Sequence, residues 1–337
     1  MQDRIPVYVL LLVLGLVCAL DVPCSLASDV RIPVILDSDA NNELDDQHAI
    51  AYLLLNGDTF DLQGITVNST YNGGDISLHR QEAERVIALC GLADKVAVFE
   101  GAEGDFDSIR SQLQHTGHDG AEAVDFIIQQ AMKPRDHPLL LLPIGKLTNI
   151  ALAVEKAPRI KSHIRIVWLG SNYPEPGEYN QDNDFGSLTY LLDQDVPFEI
   201  VTVRYGDPSG TDAVKITPDQ VTQFLAGAGP VVTPPVQGRH GGDFSTFGDY
   251  SASLFRNAEL YGDPPARALF DLAAVAIVKN PAWAESRAIP APRLVDGSWV
   301  EQPDNSRVMI VWENFDRDAI IHDLRHTLHN PVPVRTK

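Results

Sequence analysis

Between Val34 and Leu55 the chain reads VILDSDANNELDDQHAIAYLLL, which places Asp37, Asp39, Glu43, Asp45 and Asp46 within ten residues of one another. Like charges this close raise the cost of ionising each other. A bound cation is the simplest means of offsetting that cost. Hard cations such as Ca2+ take six to eight oxygen ligands from carboxylates, carbonyls and water. Asp39 and Asp46, on either side of the ANNEL segment, could supply the core of such a site. Asp residues also favour helix starts through capping and the helix dipole. That accounts for one or two of the five acids, but not for all of them.

The acids follow an apolar run, IPVILDS, that reads as a strand buried on both faces. They precede DQHAIAYLLLN, where Ala49, Ile50, Leu53 and Leu54 make a helical stripe. His48, one residue beyond the last aspartate, has the phase of a structural histidine. The same alternation continues downstream. LQGITVNS, VAVFEGA, PLLLLPIG, IRIVWLGS and PFEIVTV read as strands, and LHRQEAERVIALCGL, AEAVDFIIQQAMK and LTNIALAVEKA as helices. Strand–helix alternation predicts an α/β fold with an open, mostly parallel sheet and helices on both faces. Ligands of such sheets sit at the carboxyl ends of the strands. The aspartate cluster, PIGKLTN and LGSNYPEPGEYN all fall at such ends. Residues 205–265, rich in Gly and Pro with scattered aromatics, read as a long irregular excursion of the kind that is often functional. LFDLAAVAIVKNPAWA then returns to a buried helix, and SRVMIVWENFDRDAIIHDLRHTL closes with a strand and a helix.

The chain has 337 residues and a formal net charge of -20. That charge argues against a nucleic-acid polymer as partner, because phosphate binding needs Lys and Arg surface, but it permits a small neutral substrate. Residues 1–28 have the pattern of a secretory signal peptide: Arg4, an apolar stretch, then Ser25 and Ala27 before a cleavage point at Ser28. The apolar stretch is shorter than the roughly 20 residues of a spanning helix, and no later segment reads as one. The expectation is a secreted or periplasmic protein, free of the membrane after cleavage, with residues 29–337 as a single domain. Cys90 is then the one cysteine left, in a helix-like apolar setting.

Several of these elements together resemble one family, the inosine–uridine-preferring nucleoside hydrolases. The resemblance lies in D-x-D at Asp37–Asp39 followed by Asp45-Asp46, in GITVNSTYN, in LLPIGKLTNIALAV, in GSNYPEPGEYN and in LFDLAAVAIVKNPAW, in family order across nearly all of residues 32–337. It implies an open α/β sheet with Ca2+ at its carboxyl edge and a nucleoside or related riboside as substrate. It implies carboxylate ligation by Asp39, Asp46 and Asp271 and a backbone carbonyl from Ile144, where the family usually has Thr. Asp45 and Asn180 match residues that hold the 2′ and 3′ hydroxyls, and Asn172 and Glu178 match those around the 5′-hydroxymethyl group. Asn72 is the counterpart of the second-strand asparagine, shifted by one residue. Asp37 matches a loop-supporting aspartate. N-glycoside hydrolysis passes through an oxocarbenium-like sugar, and Asp39 could act as general base toward an activated water. Dimers and tetramers occur in the family, so a homo-oligomer is compatible with the resemblance.

Two departures stand out. Asp39 and Asp45 are separated by two more residues than usual, which either bulge away, the expected outcome, or add Asn42 or Glu43 to the site. Phe270 stands immediately before Asp271, where many members have a His that can protonate the departing base. Other candidates for the leaving-group side are His115 and His118 in QHTGHDG, and His240 and Tyr250 in the excursion. Each also reads as an ordinary loop residue. Two other functions compete with hydrolysis. One is a non-catalytic ribose- or nucleoside-binding protein that keeps the metal site. The other is a phosphatase using the first aspartate of D-x-D as nucleophile, although the D-x-D-G-T pattern of that chemistry is not matched.

Overall fold

The computed structural model describes residues 31–42 and 44–335. The stretch 1–28, expected to be a signal peptide, and Glu43 lie outside the described residues. The first half of the chain alternates strand and helix as the patterning predicts: β1 (Ile32–Ser38), α1 (Asp45–Leu54), β2 (Phe60–Val67), α2 (Ile76–Leu89), β3 (Val98–Glu100), α3 (Phe106–Ile109), α4 (Ala121–Ala131), β4 (Leu139–Pro143), α5 (Thr148–Lys156), β5 (Ile164–Leu169), α6 (Tyr179–Asn183), α7 (Phe185–Leu192) and β6 (Phe198–Val201). Of these, α3, α6 and α7 add to the helices expected from sequence. The second half holds β7 (Lys215–Ile216), α8 (Pro218–Leu225), β8 (Val236–Gln237), β9 (Asp243–Phe244), α9 (Phe247–Asn257), β10 (Arg267–Ala268) and α10 (Phe270–Lys279). It ends with β11 (Glu285–Pro290), β12 (Arg293–Val295), β13 (Ser298–Val300), β14 (Val308–Glu313) and α11 (Arg317–His329).

The main sheet has eight strands in the order β11-β14-β6-β5-β4-β1-β2-β3. All neighbours are parallel except the edge strand β11, which runs antiparallel to β14. Period-two alternation sorts the side chains. Val34 and Leu36 of β1 and Leu140 and Leu142 of β4 point into a core shared with α1, α2, α10 and α11. Ile35, Leu139 and Leu141 point into a second core with α4, α5 and α7. A strand covered on both faces has no wet side, which is why these segments are continuous apolar runs.

Chain order reverses at β1. From there β2 and β3 extend one way, and β4, β5 and β6 the other. The loops leaving β1 and β4 therefore part in opposite directions and open a crevice between them, the usual ligand position in such sheets. β1 and β4 pair in register, with Asp37 beside Pro143, so Asp39 and Ile144 emerge side by side at the mouth of that crevice.

The segment 205–265 is more regular than its Gly and Pro content suggests. Helix α8 starts from a reciprocal capping box in which the Thr217 hydroxyl accepts from Gln220 N and the Gln220 side chain accepts from Thr217 N, with Pro218 as first helical residue. Helix α9 is capped by Thr246. Capping satisfies orphan N–H groups and lets short helices form in such surroundings. Between them lies a small β8–β9 hairpin.

Candidate active site

A cavity of about 550 Å3 opens at the reversal point. Asp39 comes to it from the end of β1, Ile144 from the end of β4, Asn72 from the turn after β2, Glu178 and Asn180 from the turn after β5, and Tyr205 from beyond β6. Asp45 and Asp46 reach it from the first turn of α1, and Asp271 from the first turn of the neighbouring α10. Both helices aim their positive ends at the carboxylates, which favours negative charge there.

The carboxylate oxygens of Asp45, Asp46 and Asp271 lie within 4.8 Å of one another, a grouping that could hold a metal ion. No member is more than 5% exposed. Burial, reinforced by the other carboxylates, pushes Asp46 and Asp271 well above the usual carboxylate range. Burial likewise raises Asp45 to about 7, with Asp39 adding to the effect. Burial raises Asp39 too, partly countered by its hydrogen bonds. Four buried carboxyl groups that resist ionisation are costly without a counter-charge. The donor set is all oxygen, the chemistry of Ca2+ and Mg2+ rather than of softer ions, so these residues fit a hard divalent cation.

Asp39 is held from behind. Its Oδ2 accepts from the Thr70 hydroxyl at 2.6 Å and from the Asn42 side-chain amide at 3.4 Å. Asn42 thus belongs to the cavity wall instead of bulging away with the extra residues, because its amide finds a carboxylate to bond. Ser38 Oγ donates to Asp46 Oδ1 at 2.6 Å. Gly145 packs so close that an added Cβ would lie 2.8 Å from Asp39 Oδ1. Asp37 accepts from Thr66, Asn68 and Asn149 at 2.6, 3.0 and 2.7 Å and is fully buried. It braces the loop and does not line the cavity, which closes it as a nucleophile.

The sugar-facing candidates divide. Asn180 Nδ2 donates to the carbonyls of Ile144 and Leu169, both at 3.1 Å. Glu178 Oε2 accepts from the backbone N–H of Ser171 at 2.8 Å and of Gln181 at 3.0 Å, and burial raises its carboxyl to about 7. Asn72 lines the cavity, and its backbone N–H donates to the Tyr179 hydroxyl at 3.3 Å. Asn172 does not reach the cavity. Its amide donates to the Gly177 carbonyl and its Oδ1 accepts from Tyr205 N, so it holds the turn together.

On the leaving-group side Phe270 lines the cavity, edge-on to Tyr205 with ring centroids 5.7 Å apart. The other four candidates lie elsewhere. His115 is exposed. His118 is buried against its own loop, donating to Asp119 O at 2.8 Å and accepting from Lys156 Nζ at 3.2 Å. His240 is exposed, and the Tyr250 hydroxyl is turned to Glu82 in the core. His48, fully buried, bonds the Leu44 carbonyl and Ser251 Oγ. Burial lowers its pKa to about 4, in keeping with a neutral structural ring.

The structure adds Tyr179, Tyr205, Asp212, Lys215, Tyr261 and Arg267 to the wall. Tyr179 falls inside the EYN stretch singled out from sequence. Tyr205 is three residues past Thr202, which follows β6, and only the rule that ligands meet strand ends could have flagged it. Lys215 and Arg267 sit on β7 and β10, a two-stranded pairing too short to leave a periodic signal.

The profile of the family described as inosine-uridine preferring nucleoside hydrolase matches residues 34–334. Among curated proteins, the non-specific ribonucleoside hydrolase RihC of Escherichia fergusonii is 27% identical over 159 residues, 42% of this chain and 50% of that protein. A relative from Shigella boydii is 28% identical over 146 residues, 41% of this chain and 56% of that protein. The chain spans about half the length of the curated relatives it matches. Of solved structures, a plant nucleoside hydrolase superposes with a TM-score of 0.67 at 19% identity, covering 90% of this chain and all of that one. A purine-preferring ribonucleoside hydrolase from Gardnerella vaginalis gives 0.64 at 20% identity, covering 88% of this chain and 98% of that one. At these identities the likeness is one of fold.

Proposed function

The chain belongs to the inosine-uridine preferring nucleoside hydrolase family, and on that premise we propose that it hydrolyses the N-glycosidic bond of nucleosides or related ribosides to ribose and free base in a Ca2+-dependent reaction. The observation that carries this reading is the convergence of Asp39, Asp45, Asp46 and Asp271, all buried, on one cavity at the sheet's reversal point. Asp39, Asp46 and Asp271, with the Ile144 carbonyl, would hold the ion; Asp45 is grouped with Asp46 and Asp271, and Asp39 lines the same cavity. When bound, Ca2+ would act as a Lewis acid that lowers the pKa of water and orders the ribose diol.

The side chains supply the rest. Asp39, fixed by Thr70, takes a proton from the attacking water as general base. Asp45 and Asn180 orient the 2′ and 3′ hydroxyls, and Glu178 receives the 5′ hydroxyl. The surrounding carboxylates favour positive charge developing on the sugar as the base departs. The signal-peptide pattern of residues 1–28 supports a reaction outside the cytoplasm.

Phe270 favours a second reading, a nucleoside-binding protein without turnover, because a phenyl ring cannot protonate a departing base. One assay separates the two. Reducing-sugar release is measured from inosine, adenosine, guanosine, uridine and cytidine, with Ca2+ and after exhaustive chelation. Release that disappears on chelation supports the hydrolase. Ca2+ retention with ribose or nucleoside binding but no release from any substrate sinks it in favour of binding.

A further inference from the structure

Phe270 leaves the departing base without an acid at the position nearest Asp271, yet the same wall carries a cation. Lys215 and Arg267 both line the cavity. Lys215 pairs across the β7–β10 ladder with Ala268, two residues before Phe270. Its ammonium donates to Asp212 Oδ2 at 2.8 Å and lies 4.5 Å from the centroid of the Tyr261 ring. Asp212 is engaged elsewhere as well: Oδ1 accepts from the Tyr261 hydroxyl at 2.7 Å, and Oδ2 accepts from Gly206 N at 3.0 Å. A lysine ammonium has three N–H donors. The bond to Asp212 uses one, and the Tyr261 face supports the charge without consuming another. The Lys215 side chain is 30% exposed, so the group is reachable from the cavity. A ribose set against the carboxylates leaves its base to the rest of the cavity lining, which includes Phe270, Tyr261 and Lys215.

From this placement, and resting on the hydrolase reading above, we infer that Lys215 stabilises the departing base as an anion, in place of protonation by a histidine. As the N-glycosidic bond breaks, its electron pair moves onto the base nitrogen. The water oxygen bonds to C1′ and one water proton passes to Asp39. The base, held as an anion by the Lys215 N–H, then takes up a proton from solvent, to which Asp39 releases its own. Asp212 and Tyr261 are positioning residues that fix the ammonium.

The test compares substrates that differ only in how much help the leaving group needs. Uridine and inosine need it, whereas p-nitrophenyl riboside departs as a stable phenolate. In the Ca2+-loaded full chain, Lys215→Met is expected to lose about 100-fold in kcat/KM on the nucleosides, the scale of one electrostatic contact in a transition state. It is expected to lose under about threefold on p-nitrophenyl riboside, and Lys215→Arg is expected to recover most of the nucleoside rate. Asp212→Asn, which loosens the ammonium without removing it, should show a smaller loss with the same substrate bias and an unchanged Ca2+ affinity. Equal losses on both substrate types, or no loss on nucleosides, would overturn the assignment. If Lys215→Met does not fold, the bias of Asp212→Asn decides alone. A wild-type protein inactive even on p-nitrophenyl riboside would overturn the hydrolase reading itself. Wild-type activity with an unbiased Asp212→Asn would leave that reading intact and remove Lys215 from it.

Discussion

The two walls of the cavity are built from different materials. One is made of carboxylates at the ends of long elements: β1, the first turns of α1 and α10, and the turn after β4. Its charged groups are almost completely buried, and Asp37, Ser38, Thr70 and Asn180 brace it by hydrogen bonds. The other comes from the excursion after β6. It consists of aromatic rings and cations on two-residue strands and loops, with Tyr205 52% exposed. A metal and a sugar diol need fixed oxygen geometry, which rigid strand and helix ends provide. A base needs a surface of suitable shape and polarity, which loops can supply and alter without disturbing the sheet.

That contrast makes its strongest claim about substrate dependence. Asp39→Asn acts on the carboxylate wall and removes a proton acceptor needed whatever the leaving group. Its kcat is expected to fall on the order of 10^3-fold or more, equally on uridine, inosine and p-nitrophenyl riboside. A loss confined to poor leaving groups would mean that Asp39 works on the base side, and the division between the walls would fail. The lysine variants should show the opposite signature, a smaller loss sorted by leaving group.

A second contrast lies in proton linkage. Asp45 and Glu178 titrate near 7 and Asp37 near 6 in the folded protein, each raised chiefly by burial. Groups raised on folding bind protons more tightly in the native state, so their contribution is fully present below the ordinary carboxylate pKa and is lost as pH rises through 6 and 7. The chelated protein should therefore melt at higher temperature at pH 6 than at pH 8, by roughly 5 °C. Ca2+ should reverse the order, because metal binding requires the ionised carboxylates and stabilises the native state by mass action. Calorimetric scans at both pH values, with and without the ion, check this. A chelated protein that loses stability on acidification from 8 to 6 would refute the buried-carboxylate account. Within the same series, Glu178→Gln should stabilise the chelated protein at pH 8 and leave it nearly unchanged at pH 5.

The two walls also differ in how far they could be read from sequence. The strand–helix alternation and the position of the acids at a strand end follow from local patterning, because these residues are adjacent to long periodic elements. Asp39, Asp45 and Asp46 were legible for that reason, Ile144, Glu178, Asn180 and Asp271 only through the family resemblance, and the structure brings all seven to one cavity. The excursion wall was not. Lys215 and Arg267 sit on strands joined by only two residue pairs, and Asp212 and Tyr261 are 49 positions apart in the chain. Nothing in composition announces such a contact. The capping box at Thr217–Gln220 starts a helix inside the stretch that the sequence read as irregular. Asn172 misled because its spacing is that of a ligand, while its amide is used up by the turn it closes.

The smallest expected effect is also the sharpest check on where the base side lies. His115 and His118 carry the chemistry expected of a leaving-group acid and sit in a loop with the right sequence, HTGHDG. The structure puts His115 on the surface and ties His118 to Asp119 and Lys156, away from the cavity wall. His115→Ala and His118→Ala should therefore change kcat/KM less than about twofold on any substrate, with His118→Ala costing on the order of 1 kcal/mol in stability for its lost hydrogen bonds. A nucleoside rate that falls 100-fold in His118→Ala while p-nitrophenyl riboside is spared would show that this loop delivers the acid during turnover. The excursion would then be a binding surface only, and the ammonium of Lys215 would be free to serve specificity instead of bond cleavage.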